Sequence, residues 1–131
     1  MDTRWQQRYS NFEKAFGLLD SALKQTTHTK LEKEGIIQRF EYTFELAWKT
    51  LRDYLRHQGI ESDLPRDTIK HAFSNRILSN GQVWIEMLES RNLMAHTYDE
   101  SAFETAFHRI QKDFFPALSQ AASFFQSKLR S

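Results

Sequence analysis

Apolar residues recur along most of this chain in alternating steps of three and four, the period of a helix that buries one face. Trp5, Tyr9, Phe12, Phe16, Leu19 and Leu23 make one such stripe, which predicts a first helix over residues 4–24. Gly17 inside it costs about 1 kcal/mol against alanine, and so regular a stripe overrides that. The polar stretch QTTHTK ends the helix. A second and longer helix follows over residues 31–58, on Ile37, Phe40, Phe44, Ala47, Leu51 and Leu55. Ile36, Trp48 and Tyr54 widen its apolar sector, so this helix should touch two neighbours. Gly59 stands where a helix C-terminus favours glycine.

Beyond it, ESDLPRDTIKHAF reads as a loop and then a helix start, with Pro65 in the first turn and Asp67 near its positive end. Ile69, Ala72, Phe73 and Ile77 form a short stripe that SNG at residues 79–81 interrupts. From Gln82 the pattern resumes with Trp84, Met87, Leu88, Arg91 and Ala95. Arg91 therefore falls on the apolar side of its helix, where a guanidinium requires a partner. The last helix begins after Tyr98, with two capping boxes open to it, Thr97 with Glu100 or Ser101 with Glu104. It carries Phe103, Phe107, Ile110, Phe114, Ala117, Ala121 and Phe124, and Pro116 within it predicts a kink rather than a stop. The expected fold is all-α: three long helices and two shorter ones in an up-and-down antiparallel bundle, one domain over residues 1–131.

Composition narrows the function classes. Eleven Phe, four Tyr and three Trp supply a core, and a net charge of +1 gives no broad basic field for coating nucleic acid. The absence of cysteine excludes disulfides, thiol catalysis and cysteine-ligated metal. Neither a signal peptide nor a membrane span is readable, so the expected location is the cytoplasm.

Candidate chemistry concentrates in SRNLMAHTYDE, residues 90–100, with Arg91, His96 and Tyr98. Five helical steps turn a side chain by about 140°, so Arg91 and His96 converge only if the helix ends near Ala95 or a second subunit completes the site. Arginine and histidine suit phosphodiester cleavage in RNA. The imidazole moves the 2′-hydroxyl or leaving-group proton, and the guanidinium grips the phosphate; neither a metal nor another cofactor is required. The spacing alone is weak, because Arg52 with His57 and Arg66 with His71 repeat it. On spacing, an arginine holding a helix end beside a capping histidine is the commoner arrangement. Glu41, Glu45, Trp48 and Arg52 form a polar-aromatic strip on the second helix, either a partner surface or i,i+4 pairs around a buried Trp48. Asp99 and Glu100 read better as helix-start acids than as metal ligands. Tyr42 and Tyr54 read better as packing residues than as base-stacking ones.

The surrounding residues single out one of the three pairs. RNLMAHTY (91–98) resembles the HEPN superfamily motif, in which Arg, a polar residue such as Asn92, variable positions and His form a ribonuclease site. Tyr two residues after the His is the version of HepT-type toxins. IQRFEYTFELAWKTLRDYL (37–55), PRDTIKHAF (65–73) and VWIEMLESRNLMAHTYDE (83–100) resemble, in the same order, a HEPN branch called nucleotidyltransferase substrate-binding proteins. The resemblance implies a helical homodimer whose two motifs face one cleft, encoded beside a minimal, MntA-like nucleotidyltransferase. It implies Arg91 and His96 as catalytic, Asn92 as supporting and Tyr98 as the acceptor of AMP from that partner, with RNA as substrate. The other function it implies is a non-catalytic substrate-binding or adaptor subunit of the nucleotidyltransferase. A helical dimer with an inactive motif is the third.

Overall fold

The computed structural model describes residues 2–93 and 99–130. Among them the regular structure is entirely helical: α1 (Arg4–Leu23), α2 (Lys30–His57), α3 (Pro65–Ser74), α4 (Gly81–Leu93), α5 (Glu100–Arg109) and α6 (Phe115–Arg130). A π-helical turn, Ile110–Phe114, joins the last two into one long rod. The architecture is the antiparallel up-and-down bundle that the stripes predict. α1 packs chiefly on α2, the rod lies against both, and α3 and α4 close the remaining side.

Aromatic residues dominate the interior. Phe12, Phe40, Phe44, Trp84, Phe103, Phe114 and Phe125 are fully buried, with Leu19, Leu51 and Leu55 between them. Trp5 meets Tyr54 edge to face at 5.1 Å, and Phe40 stacks on Phe114 at 5.4 Å. Such pairs contribute about 0.5–1.5 kcal/mol beyond the area they bury. Two buried threonines on α2 return their hydroxyls to the preceding turn, Thr43 to the Arg39 carbonyl at 2.6 Å and Thr50 to that of Leu46 at 2.7 Å.

Local chemistry sets the helix ends. Thr29 and Glu32 form a reciprocal capping box that starts α2, and those bonds hold the Glu32 carboxyl below its usual range. Pro65 opens α3. Gly81 is the first residue of α4 rather than part of the break before it. For the last helix, the Ser101–Glu104 capping box does not form, and Thr97 of the other lies outside the described residues. Asp99 is the N-cap, its Oδ1 accepting from the amides of Ser101 at 2.9 Å and Ala102 at 3.2 Å, while Ser101 lies inside α5. A carboxylate directly before the helix outcompetes a hydroxyl two residues further in.

Pro116 does not stop the rod, and its consequence is a shift of register. The ring excludes a normal α-turn upstream and supplies no amide. Phe115 instead donates its N–H to the Ile110 carbonyl five residues back, closing the wide turn. Downstream of the wide turn the buried stripe keeps Ala121 and takes the next residue at the positions on either side of it. Phe103, Phe107, Ile110 and Phe114 are followed inward by Leu118, Ala121 and Phe125, leaving the predicted Ala117 and Phe124 only partly buried.

Candidate functional site

α4 reaches the candidate site on a firmly seated stripe. Trp84 and Met87 are fully buried, and Trp84 lies 6.0 Å from Phe44 of α2. Arg91, one further turn along the same face, emerges half-exposed beside α2. Its Nη1 donates to Oε1 of Glu45. The partner that the sequence position demanded is thus an acid on another helix. The second Glu45 oxygen accepts from the indole Nε1 of Trp48 at 3.1 Å, and Lys49 Nζ stands 4.0 Å from it. Glu41, one turn earlier on α2, also feels Arg91. Burial pushes its carboxyl up, and the guanidinium partly opposes this.

Of the two readings open to the polar-aromatic strip of α2, pairing around a tucked-in Trp48 is the one met. Trp48 is buried, and the acids beside it face the candidate arginine. Arg52 lies over the Trp48 ring at 5.3 Å and donates to Asp53 Oδ1 at 3.2 Å. Arg8 of α1 donates to the other Asp53 oxygen at 2.9 Å, and the Asp53 side chain has no exposed surface. Neither Asp53 nor the Glu45–Arg91 contact is readable from periodicity. An arginine in an apolar stripe and acids flanking a buried tryptophan were the available signals.

On the other flank of the motif, α5 is tied to the start of α2. Lys30 bonds Glu100 at 3.0 Å, and Lys33 bonds Glu104 at 3.2 Å and lies over the Phe107 ring. Asp99 and Glu100 serve the helix start, as expected of them. His96 and Tyr98 lie outside the described residues, as does the side chain of Asn92, whose backbone belongs to α4.

The two competing arginine–histidine pairs have ordinary surroundings. Arg52 is engaged by Asp53, and His57 is the exposed last residue of α2. Arg66 meets Glu89 at 3.6 Å on the surface, and His71 faces Asp67 at 3.7 Å. Tyr54 packs against Trp5, Phe124 and Phe125, as expected, but Tyr42 is 63% exposed and is not a packing residue. A groove of about 470 Å³ lies elsewhere, where Arg109 bridges Glu86 at 2.5 Å and Asp113 at 2.8 Å. The bond from Arg109 holds the Glu86 carboxyl down.

Comparison with known proteins carries the geometry into a family. A family model described as nucleotidyltransferase substrate binding protein like matches residues 7–127. The chain belongs to that family. The match takes in the whole of residues 91–98, and it is the HEPN branch to which the motif pointed. The probable ribonuclease HepT of Haemophilus influenzae is 28% identical over 71 residues, which are 50% of this chain and 49% of that protein. The chain thus spans about half the length of that curated relative. A crystal structure from Thermus thermophilus is 31% identical and superposes with a TM-score of 0.77 over 92% of this chain and 99% of its own. A second solved structure, from Haemophilus influenzae and described as revealing the fold of a substrate binding domain of a nucleotidyltransferase, is 19% identical. It shares the fold, with a TM-score of 0.79 over 90% of this chain and 98% of that one. Among the described residues, no helix is long and apolar enough to cross a membrane.

Proposed function

We propose that this protein is the HEPN-type partner of a separately encoded minimal nucleotidyltransferase and acts as a metal-independent ribonuclease toxin silenced by AMP transfer to Tyr98. The observation that carries the reading is Arg91. It stands in the one arginine–histidine pair flanked by Asn92 and Tyr98, at the end of α4, half-exposed and directed by an acid, in a chain of the nucleotidyltransferase substrate binding family.

In this reading His96 takes the proton of an RNA 2′-hydroxyl, or delivers one to the departing 5′-oxygen, as the 2′-oxygen bonds to phosphorus and the P–O5′ bond breaks. Arg91 balances the charge that gathers on the phosphoryl oxygens. Two copies of the chain form a homodimer and bring their motifs to one cytoplasmic cleft, which meets the angular constraint between Arg91 and His96. Silencing uses ATP as co-substrate of the partner: the Tyr98 phenolic oxygen bonds to the α-phosphorus, pyrophosphate leaves and the phenol proton is lost. The attached phosphate and nucleoside then engage Arg91 and block RNA.

Purified protein carrying no AMP on Tyr98 should cleave RNA, with Arg91→Ala and His96→Ala each lowering the rate about 10²–10⁴-fold. Intact RNA after incubation with that wild-type protein would overturn the nuclease reading. The family description itself favours a second reading, a substrate-binding adaptor of the nucleotidyltransferase. It predicts a stable complex with that enzyme, and neither RNA cleavage nor toxicity when the chain is expressed alone.

A further inference from the structure

Arg91 is half-exposed, and an arginine in that setting ordinarily samples many rotamers; an exposed ion pair, at about 0–1 kcal/mol, does little to restrain it. Glu45 is a different kind of partner. One of its oxygens accepts from Arg91 and the other from the Trp48 indole at 3.1 Å, so its carboxylate plane is fixed at both ends. Trp48 is itself only 6% exposed, and the guanidinium of Arg52 covers its ring at 5.3 Å. Arg52 in turn shares the fully buried Asp53 with Arg8. From α1 to α4 the contacts run through two buried side chains, Asp53 and Trp48, before they reach Glu45 and Arg91 at the surface.

We propose that Glu45 is the positioning residue of Arg91, anchored by Trp48, and that it sets the direction in which the guanidinium meets a phosphate. The catalytic consequence rests on the nuclease reading above; the ordering of Arg91 does not. Glu45 touches no reacting atom and acts only through Arg91. Misplacing a phosphate-binding group by about 1 Å can cost about 10²-fold in rate, which bounds what losing the clamp on Arg91 should cost.

The test uses the full chain and two readouts. Side-chain ¹⁵N relaxation follows the Arg91 Nε–Hε group, whose signal is assigned by its disappearance in Arg91→Lys. Glu45→Ala and Trp48→Phe should drop its order parameter into the flexible range, below about 0.6, while Lys49→Ala leaves it high. Glu45→Gln can satisfy only one of the two donors through its carbonyl oxygen and should fall between. In parallel, cleavage of a short RNA by Glu45→Ala should lose about 10–100-fold in kcat with little change in KM, and Glu45→Gln should recover part of it. Circular dichroism on the two Glu45 variants separates these effects from misfolding, should Trp48→Phe loosen the core. An Arg91 order parameter unchanged in Glu45→Ala overturns the proposal. So does a Glu45→Ala protein that cleaves at the wild-type rate while Arg91→Ala does not. If wild-type protein leaves RNA intact, the nuclease reading falls, and the order parameters still decide the role of Glu45.

Discussion

Glu41 shows how the environment of Arg91 is balanced at the level of single charges. Burial disfavours its carboxylate and the guanidinium favours it, with burial the larger effect, so its folded pKa lies above the usual value of 4.5. The folded state therefore binds the Glu41 proton more tightly than the unfolded chain does. The stability this contributes is present below the unfolded pKa and is lost as pH rises through the folded one. A neutral isostere removes that loss, so Glu41→Gln should leave the melting temperature unchanged near pH 4 and raise it at pH 7. Thermal melts across that range check it, and a variant that melts lower at pH 7 would mean that the attraction to Arg91 dominates. Glu86, held low by Arg109, behaves in the opposite sense, its contribution being lost as pH falls. That Arg91 needs a partner was legible in the sequence, because a guanidinium on the Trp84–Met87 stripe has no apolar solution. Which acid it takes was not legible, since Glu45 lies on another helix, 46 positions away, and only the packing of α4 on α2 brings the two together.

At the scale of elements, α2 and α3 end alike but with different residues at the decisive position. Past α2, Gly59 adopts φ +86°, and the Ile60 amide donates to the Leu55 carbonyl at 2.9 Å. Past α3, Arg76 adopts φ +62°, and the Ile77 amide donates to Ala72 at 2.9 Å. Both turns deliver an isoleucine back toward the core, which is why each must be left-handed. A Cβ in that region costs about 1–2 kcal/mol. Gly59→Ala should therefore destabilise the protein by about 1 kcal/mol and Arg76→Gly should stabilise it by about as much, both read as shifts of the urea midpoint at constant m. Equal and small effects of the same sign would show that the two turns can relax. The first turn was visible in the sequence because glycine marks it; the second was hidden because arginine does not. The π-turn was half visible in the same way. Pro116 announces a disturbance, but the exchange of Ala117 for Leu118 and of Phe124 for Phe125 in the buried stripe depends on how α6 seats those two residues in the aromatic core.

For the whole molecule, the up-and-down order of the helices follows from stripes that sequence periodicity exposes, because burying each apolar face satisfies the largest energetic demand. To the apolar packing of α1 on α2 a single buried carboxylate adds a polar tie. Asp53 is sealed from solvent and divided between Arg8 of α1 and its own neighbour Arg52, whose side chains keep 25% and 19% of their surface exposed. Periodicity could not reveal it, since an aspartate beside Arg52 reads as one more charged helix position. Asp53→Ala removes the shared acceptor and leaves two guanidinium groups facing each other at the helix contact. Because both can recover some water, the loss should be about 2–4 kcal/mol, near or below that of a fully buried pair. Urea denaturation should show the midpoint falling at unchanged m; a loss under about 1 kcal/mol would mean that α1 is held by its apolar stripe alone. The same substitution frees Arg52 from below while Trp48 stays buried. Damage confined to stability would then place the junction in the scaffold, whereas added motion at Arg91 would show that the alignment of α1 reaches the candidate site through Trp48 and Glu45.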